Sequence, residues 1–344
     1  MKLFVYASAL VLVGSCATLS HKEKIQAIKD NIQIEEPKQI AKYANTITEL
    51  ELKEHLYIFS SDEFQGRETG SKGQKKAVQF LRNYYHSSGI TSPLKNSNYF
   101  QEVPSDYLGD DYDSSENVIA FIEGTRKPKE VIIISAHHDH EGVSEDGQIY
   151  KGADDNGSGT VALMEMAEAF KQAKLDGYGP KRSIVFLHFT AEEIGLQGSR
   201  FYAENPVFPL RKTVANLNID MIGRVDDKHA ENENYIYLIG TDRHSTELHY
   251  ISEAINDRFT QLDLDYKYND ENDHNRYYYR SDHYNFAKNN IPVIFYFNGV
   301  HEDYSLPTDT PDKINYELLE KRTKLIFATA WQLANQKKRL KVDK

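Results

Sequence analysis

Apolar positions along this chain recur with two different periods, and the two alternate from one segment to the next. In residues 73–88, Val78, Leu81 and Tyr85 fall at helical spacing, and Gly89 marks the stop. Short apolar runs over 117–123 and 131–136 predict strands. Residues 158–172 predict a helix that turns Val161, Leu163, Met164 and Ala167 towards a core. Strands are expected again at 183–190, 214–220, 235–240 and 291–297. Helices are expected at 245–259 and, closing the chain, at 314–336. Strands that alternate with helices predict an α/β layer fold with a mostly parallel or mixed sheet.

Two polar stretches interrupt the pattern, at 103–116 and 260–280. The second carries Asp263, Asp265, Asp270, Glu271, Asp273 and the run Tyr277, Tyr278 and Tyr279. Its charge predicts a solvated loop. The Lys-rich end, 337–344, predicts a frayed tail.

The N-terminus has its own pattern. Lys2 precedes an apolar run over 3–13, and Gly14 and Ser15 lead into Cys16. This reads as an export signal over 1–15, with a run too short for a stable membrane anchor. The segment 12–16 resembles the lipobox of bacterial lipoproteins, which implies lipid on Cys16 and anchorage in the cell envelope. Residues 16–45 would then form the lipidated N-terminus and tether. Residues 46–340 would form one catalytic domain, with a helical part at 46–100 and a core at 115–336.

Composition removes several function classes. Cys16 is the only cysteine, so the chain has no internal disulfide and no thiolate zinc site. The formal net charge of -11 disfavours nucleic acid as a partner, because phosphates would repel it.

The chemistry-bearing residues collect where strands are predicted to end. The strand at 131–136 runs into His137, His138, Asp139 and His140. Residues two apart in an extended chain share a face, so Asp139 could orient the His137 imidazole. The Gly-rich turn over 152–159 carries Asp154 and Asp155, which could also simply cap the next helix. The strand at 183–190 ends in Glu192 and Glu193, adjacent carboxylates that repel unless a cation or proton intervenes. The strand at 214–219 ends in Asp220. One imidazole, several carboxylates and no thiolate fit zinc, with manganese or cobalt also possible. A carboxylate shared by two ions is the arrangement of two-metal hydrolases.

At this point the chain resembles the zinc exopeptidase family of bacterial leucyl aminopeptidases, which also includes glutamate carboxypeptidases and glutaminyl cyclases. The resemblance runs from about Asp62 to Trp331. It takes in the segment 63–70 (EFQGRETG), the four strand ends in order, Ser281-Asp282-His283, and the run 309–314 (DTPDKI). It implies a three-layer sandwich with a mixed, mostly parallel sheet flanked by helices, two zinc ions and peptide substrates. It implies His137 and Asp220 as ligands of the first zinc, Asp139 as the residue orienting His137, and Asp155 as the bridge. It implies Glu192 as general base and Glu193 on the second zinc, with Asp154 structural.

The sequence departs from the family at one position. A histidine on the second zinc is expected four residues before Asp309, where this chain has Ser305. Either His301 or water would have to fill that place, so the second ion is in doubt. His283 and His301 are candidate pocket residues. The resemblance implies an aminopeptidase. A carboxypeptidase or dipeptidase would need a basic group for a terminal carboxylate. The same residues leave room for a single-zinc glutaminyl cyclase and for a non-catalytic binding lipoprotein.

Overall fold

The structure, a computed structural model, describes residues 20–344; the export signal and Cys16 lie outside the described residues. Eight strands form one sheet: β1 (Phe100–Val103), β2 (Ser115–Ile122), β3 (Lys127–His137), β4 (Arg182–Phe189), β5 (Thr213–Ile219), β6 (Tyr235–Ile239), β7 (Asp263–Asp265) and β8 (Val293–Phe297). Their order is β1-β2-β4-β3-β5-β8-β6-β7. The central strands β4, β3, β5 and β8 run parallel, so their C-terminal ends lie at one edge. β2 and β6 join them antiparallel. The sheet is therefore mixed, with a parallel centre.

Burial on both faces explains why the central strands read as continuous apolar runs. Along β3, Ile132, Ile134 and Ala136 enter one core, while Val131 and Ile133 enter the other. The first core is covered by the helices Glu49–Phe59, Lys72–Ser87, Gly159–Leu175, Thr246–Phe259 and Tyr316–Asn335. The second is smaller and aromatic, and it is closed by Tyr202 of Gln197–Glu204 and Phe286 of His283–Ala287. Among the described residues no helix is long and apolar enough to cross a membrane.

The structure departs from the expected pattern at the sheet edges and at both ends of the described chain, where the 337–344 segment expected to fray buries Leu340 in the core and Arg339 donates to the Thr213 carbonyl. The apolar pattern does not predict β1 and β7, because each is short and lies at a sheet edge. The stretch expected to be a tether docks on the core before it ends. In the helix Pro37–Ala44, Ile40 and Tyr43 are fully buried, and Tyr43 stacks on Trp331 with centroids 5.6 Å apart. Two apolar side chains three residues apart suffice to turn one face of a short helix inward.

Candidate metal and active site

β3 lies between β4 and β5, so the chain crosses from β3 to β4 on one side and then to β5 on the other. A crevice forms at the strand ends of such a switch point. His137 is the last residue of β3, Glu192 and Glu193 follow β4, and Asp220 follows β5. The turn before the helix Gly159–Leu175 brings Asp155 to the same place. His137 Nε2 lies 3.2 Å from Asp155 Oδ1 and 3.4 Å from Asp220 Oδ1. Ligand atoms of His137, Asp155 and Glu193 all fall within 4.8 Å of one another, and so do those of His137, Glu192 and Asp220.

Electrostatics of the cluster ask for a cation. Burial, then the neighbouring Glu193, pushes the Asp155 carboxyl up. Burial pushes Glu193 up to about 8, against the pull of His137. Glu192 is driven well above the carboxylate range by burial, with Glu193, Asp220 and Asp282 adding to it and His137 opposing. His137 itself is held well above its ordinary value despite its burial, chiefly by Asp220 and Glu192. These carboxylates cannot all ionise at neutral pH by themselves; divalent cations would let them. Oxygen and imidazole donors without thiolate fit zinc.

A buried scaffold holds the candidate ligands. Arg67, from the segment 63–70, is fully buried. Its Nε donates to the His138 carbonyl at 2.8 Å, and Nη2 to that of Gly152 at 2.9 Å. Its Nη1 donates to the Lys151 carbonyl at 2.7 Å and the Phe59 carbonyl at 3.2 Å. One guanidinium thus ties the loop after His137 to the loop before Asp155. Asp309 accepts from the backbone N–H of Asp154 at 2.9 Å and of Asp155 at 3.1 Å. Asp220 Oδ2 accepts from Ser281 at 2.7 Å, and Asn218 donates to Ser281 at 2.8 Å. Ser281 therefore holds the Asp220 carboxylate in place.

Asp139 acts differently from the expectation. His137 Nδ1 lies 3.2 Å from the Asp139 backbone carbonyl but 3.8 Å from its carboxylate. The carboxylate accepts from Thr69 at 3.0 Å and from the backbone N–H of Glu192 at 3.2 Å and Glu193 at 3.4 Å. β3 ends at His137, so the alternation that would set the two side chains on one face no longer applies. Asp139 anchors the turn that carries both glutamates, where Ala191 holds a φ of 55°.

The cluster floors a cavity of about 480 Å³, walled by Tyr277, Tyr279, Arg280, Phe295, Phe297 and Tyr304 among others. The end of the stretch read as a solvated loop is therefore a cavity wall. Its charge pattern concealed this, because Arg280 and two tyrosines face the cavity while the aspartates lie earlier in the loop. Neither candidate pocket histidine lines it. His283 is fully buried, stacks on Phe295 at 4.8 Å, and is pushed down to about 3 by burial. His301 pairs with Asp154, Nε2 to Oδ2 at 3.2 Å, and its Nδ1 accepts from the Asp303 N–H at 3.3 Å. His301 therefore faces Asp154 and not the His137 cluster. Ser305 is half-buried with a φ of 52° and does not line the cavity. Asp154 also accepts from Gly223 N–H at 2.7 Å, which makes it part of the scaffold.

The family model for peptidase family M28 matches residues 117–330, which spans every residue of the cluster. The chain belongs to peptidase family M28. Relatives of the chain include Aminopeptidase YwaD of Bacillus subtilis (strain 168), 28% identical over 243 residues, which are 67% of this chain and 47% of that protein. The chain thus spans about half the length of that relative. A probable leucine aminopeptidase of Arthroderma otae is 26% identical over 315 residues, covering 88% of this chain and 81% of its own. Among solved structures, the LapA aminopeptidase of Legionella pneumophila superposes with a TM-score of 0.68 at 21% identity, covering 88% of this chain and 76% of that one. That likeness is one of fold.

Proposed function

We propose that this chain is a zinc-dependent exopeptidase that removes residues from the amino end of peptides. The observation that carries the reading is the two donor sets sharing His137 at the floor of one cavity, His137 with Asp155 and Glu193 and His137 with Glu192 and Asp220. His137, Asp155 and Asp220 would hold the first ion, and Asp155 and Glu193 the second. Zinc, when bound, supplies a Lewis acid and lowers the pKa of water towards about 7. Glu192 is the general base: it takes a proton from the attacking water and returns it to the leaving amine. Its raised proton affinity in the metal-free chain suits a group that must hold a proton part-way through the reaction.

The floor carries Asp155, Glu192, Glu193 and Asp220, whereas the wall carries the cation Arg280. The relatives named as aminopeptidases, Aminopeptidase YwaD and the probable leucine aminopeptidase, support cleavage from the amino end. The aromatic wall supports apolar side chains at that end. Glu192→Gln should abolish hydrolysis of aminoacyl chromogenic substrates while zinc content and the unfolding midpoint stay unchanged. Equal activity of the variant and the parent on a broad panel would sink the reading.

A second reading, a dipeptidase or carboxypeptidase, draws support from Arg280. Its guanidinium lies 5.2 Å from the centre of the Tyr277 ring, on the same cavity wall. A terminal carboxylate could seat there. Arg280→Gln should leave peptide amides unaffected under the aminopeptidase reading; a selective rise in KM for short peptides with free carboxylates would favour the second. For location, the pattern at 12–16 supports a lipid anchor on Cys16 in the cell envelope, and Cys16→Ala should abolish lipid labelling and release the protein from membranes.

A further inference from the structure

We propose that His140 supplies the imidazole of the second metal position, in place of the histidine that Ser305 replaces. The inference rests on the metal reading above and concerns only which side chain completes it.

The bridging carboxylate faces two imidazoles. Asp155 Oδ1 lies 3.2 Å from His137 Nε2, and Asp155 Oδ2 lies 4.0 Å from His140 Nδ1. The same His140 nitrogen lies 2.9 Å from Glu193 Oε1. One set therefore comprises His137, Asp220 and one oxygen of Asp155. The other comprises His140, Glu193 and the other oxygen of Asp155. Donors at zinc–ligand distances of about 2.0–2.1 Å in a tetrahedron are separated by about 3.4 Å. The separations from His137 in the first set, 3.2 and 3.4 Å, match this, and those from His140 in the second, 2.9 and 4.0 Å, bracket it.

The ring is enclosed by its surroundings. His140 is 1% exposed. Its Cδ2 edge packs on Gly152, where a Cβ would fall 2.5 Å from that atom. Its backbone N–H is bound to the Arg67 carbonyl at 3.3 Å, in the loop that Arg67 clamps. Nε2 has no hydrogen-bond partner among the described residues, so Nδ1 is the nitrogen aimed at the carboxylates. Both other candidates fail on the same criteria. His301 faces Asp154 and the Asp303 N–H instead of Asp155 or Glu193, and Ser305 offers only a hydroxyl.

The competing role is a plain hydrogen bond, with His140 Nδ1–H donating to Glu193 and touching no metal. Counting imidazoles separates the two. The soluble chain is loaded with zinc, dialysed, analysed for metal content and studied by zinc-edge X-ray absorption. Ligation by His140 gives two zincs and an average of one imidazole per zinc. Half an imidazole per zinc, or a single bound zinc, overturns the assignment and leaves the metal reading intact. Absence of bound zinc overturns both. His140→Gln should weaken the second equivalent at least 10–100-fold while the first stays bound, and Ser305→His in that background should restore it. A His140→Gln protein that keeps both zincs with an unchanged imidazole count overturns the proposal. The count on the parent chain decides the matter even if the variant does not fold.

Discussion

Replacing Arg67 should damage metal binding without touching a single metal ligand. Its guanidinium donates to four backbone carbonyls, those of Phe59, His138, Lys151 and Gly152. Burial lowers its pKa only to about 10, with Asp309, Asp139, Asp155 and Glu193 opposing the fall, so it stays charged at neutral pH. Hydrogen bonds from a charged donor contribute about 1.5–3 kcal/mol each, so the gross interaction is roughly 6–12 kcal/mol. Desolvation of the charge and relaxation of the loops offset much of that. Arg67→Met should then cost about 3–5 kcal/mol, a large share of a domain's stability. Arg67→Lys keeps the charge but cannot span carbonyls on two loops, and about 2 kcal/mol is expected. Urea unfolding of the Lys variant, with zinc and with chelator, is the assay. The loops that Arg67 joins carry His137 and Asp155, so part of the loss should appear in the zinc-dependent increment of stability. A Lys variant whose midpoint and zinc increment both match the parent would refute the claim that Arg67 couples the ligand loops.

The metal-free chain should lose stability as pH rises from about 6.5 to about 8, above the range in which the buried His140, His188 and His283, pushed down by burial to about 4, 3 and 3, act the other way. Glu193 is raised to about 8, and Asp282 and Asp309 to about 7, all by burial first, so the folded chain holds protons that the unfolded chain releases. Their contribution is complete below the unfolded carboxylate values and is lost as pH passes the folded ones; His137, also raised, acts in the same direction. Zinc should reverse the slope, and at pH 7 its binding should release protons measurable in weak buffer; a flat chelated profile would count against the arrangement. Asp309→Asn removes one of the oxygens serving the Asp154 and Asp155 N–H groups and should lower zinc affinity about 10-fold, read by competition with a chelating dye.

Much of the site was legible because strand ends are legible. The apolar runs that become β3, β4 and β5 stop just before His137, Glu192 and Asp220, and two-sided burial makes such runs easy to bound. The cavity wall was not. Tyr277, Tyr279 and Arg280 lie in a stretch whose aspartates look like solvent-facing charge, and only the fold turns its last residues over the metal cluster. His301 and His283 stand near family motifs in the sequence, yet one is paired with Asp154 and the other is packed in an aromatic core.

What the sequence by itself determined is the set of elements, their order, and the chemistry at the ends of the central strands. Period and burial are local properties, and a run of side chains records them directly. The tertiary structure decided which groups meet across long separations: Arg67 with the two ligand loops, Asp309 with the turn before Asp155, and His140 with Glu193. Those meetings depend on strand order and crossover direction. They also depend on where a small residue such as Gly152 leaves room for a ring, which no local pattern encodes.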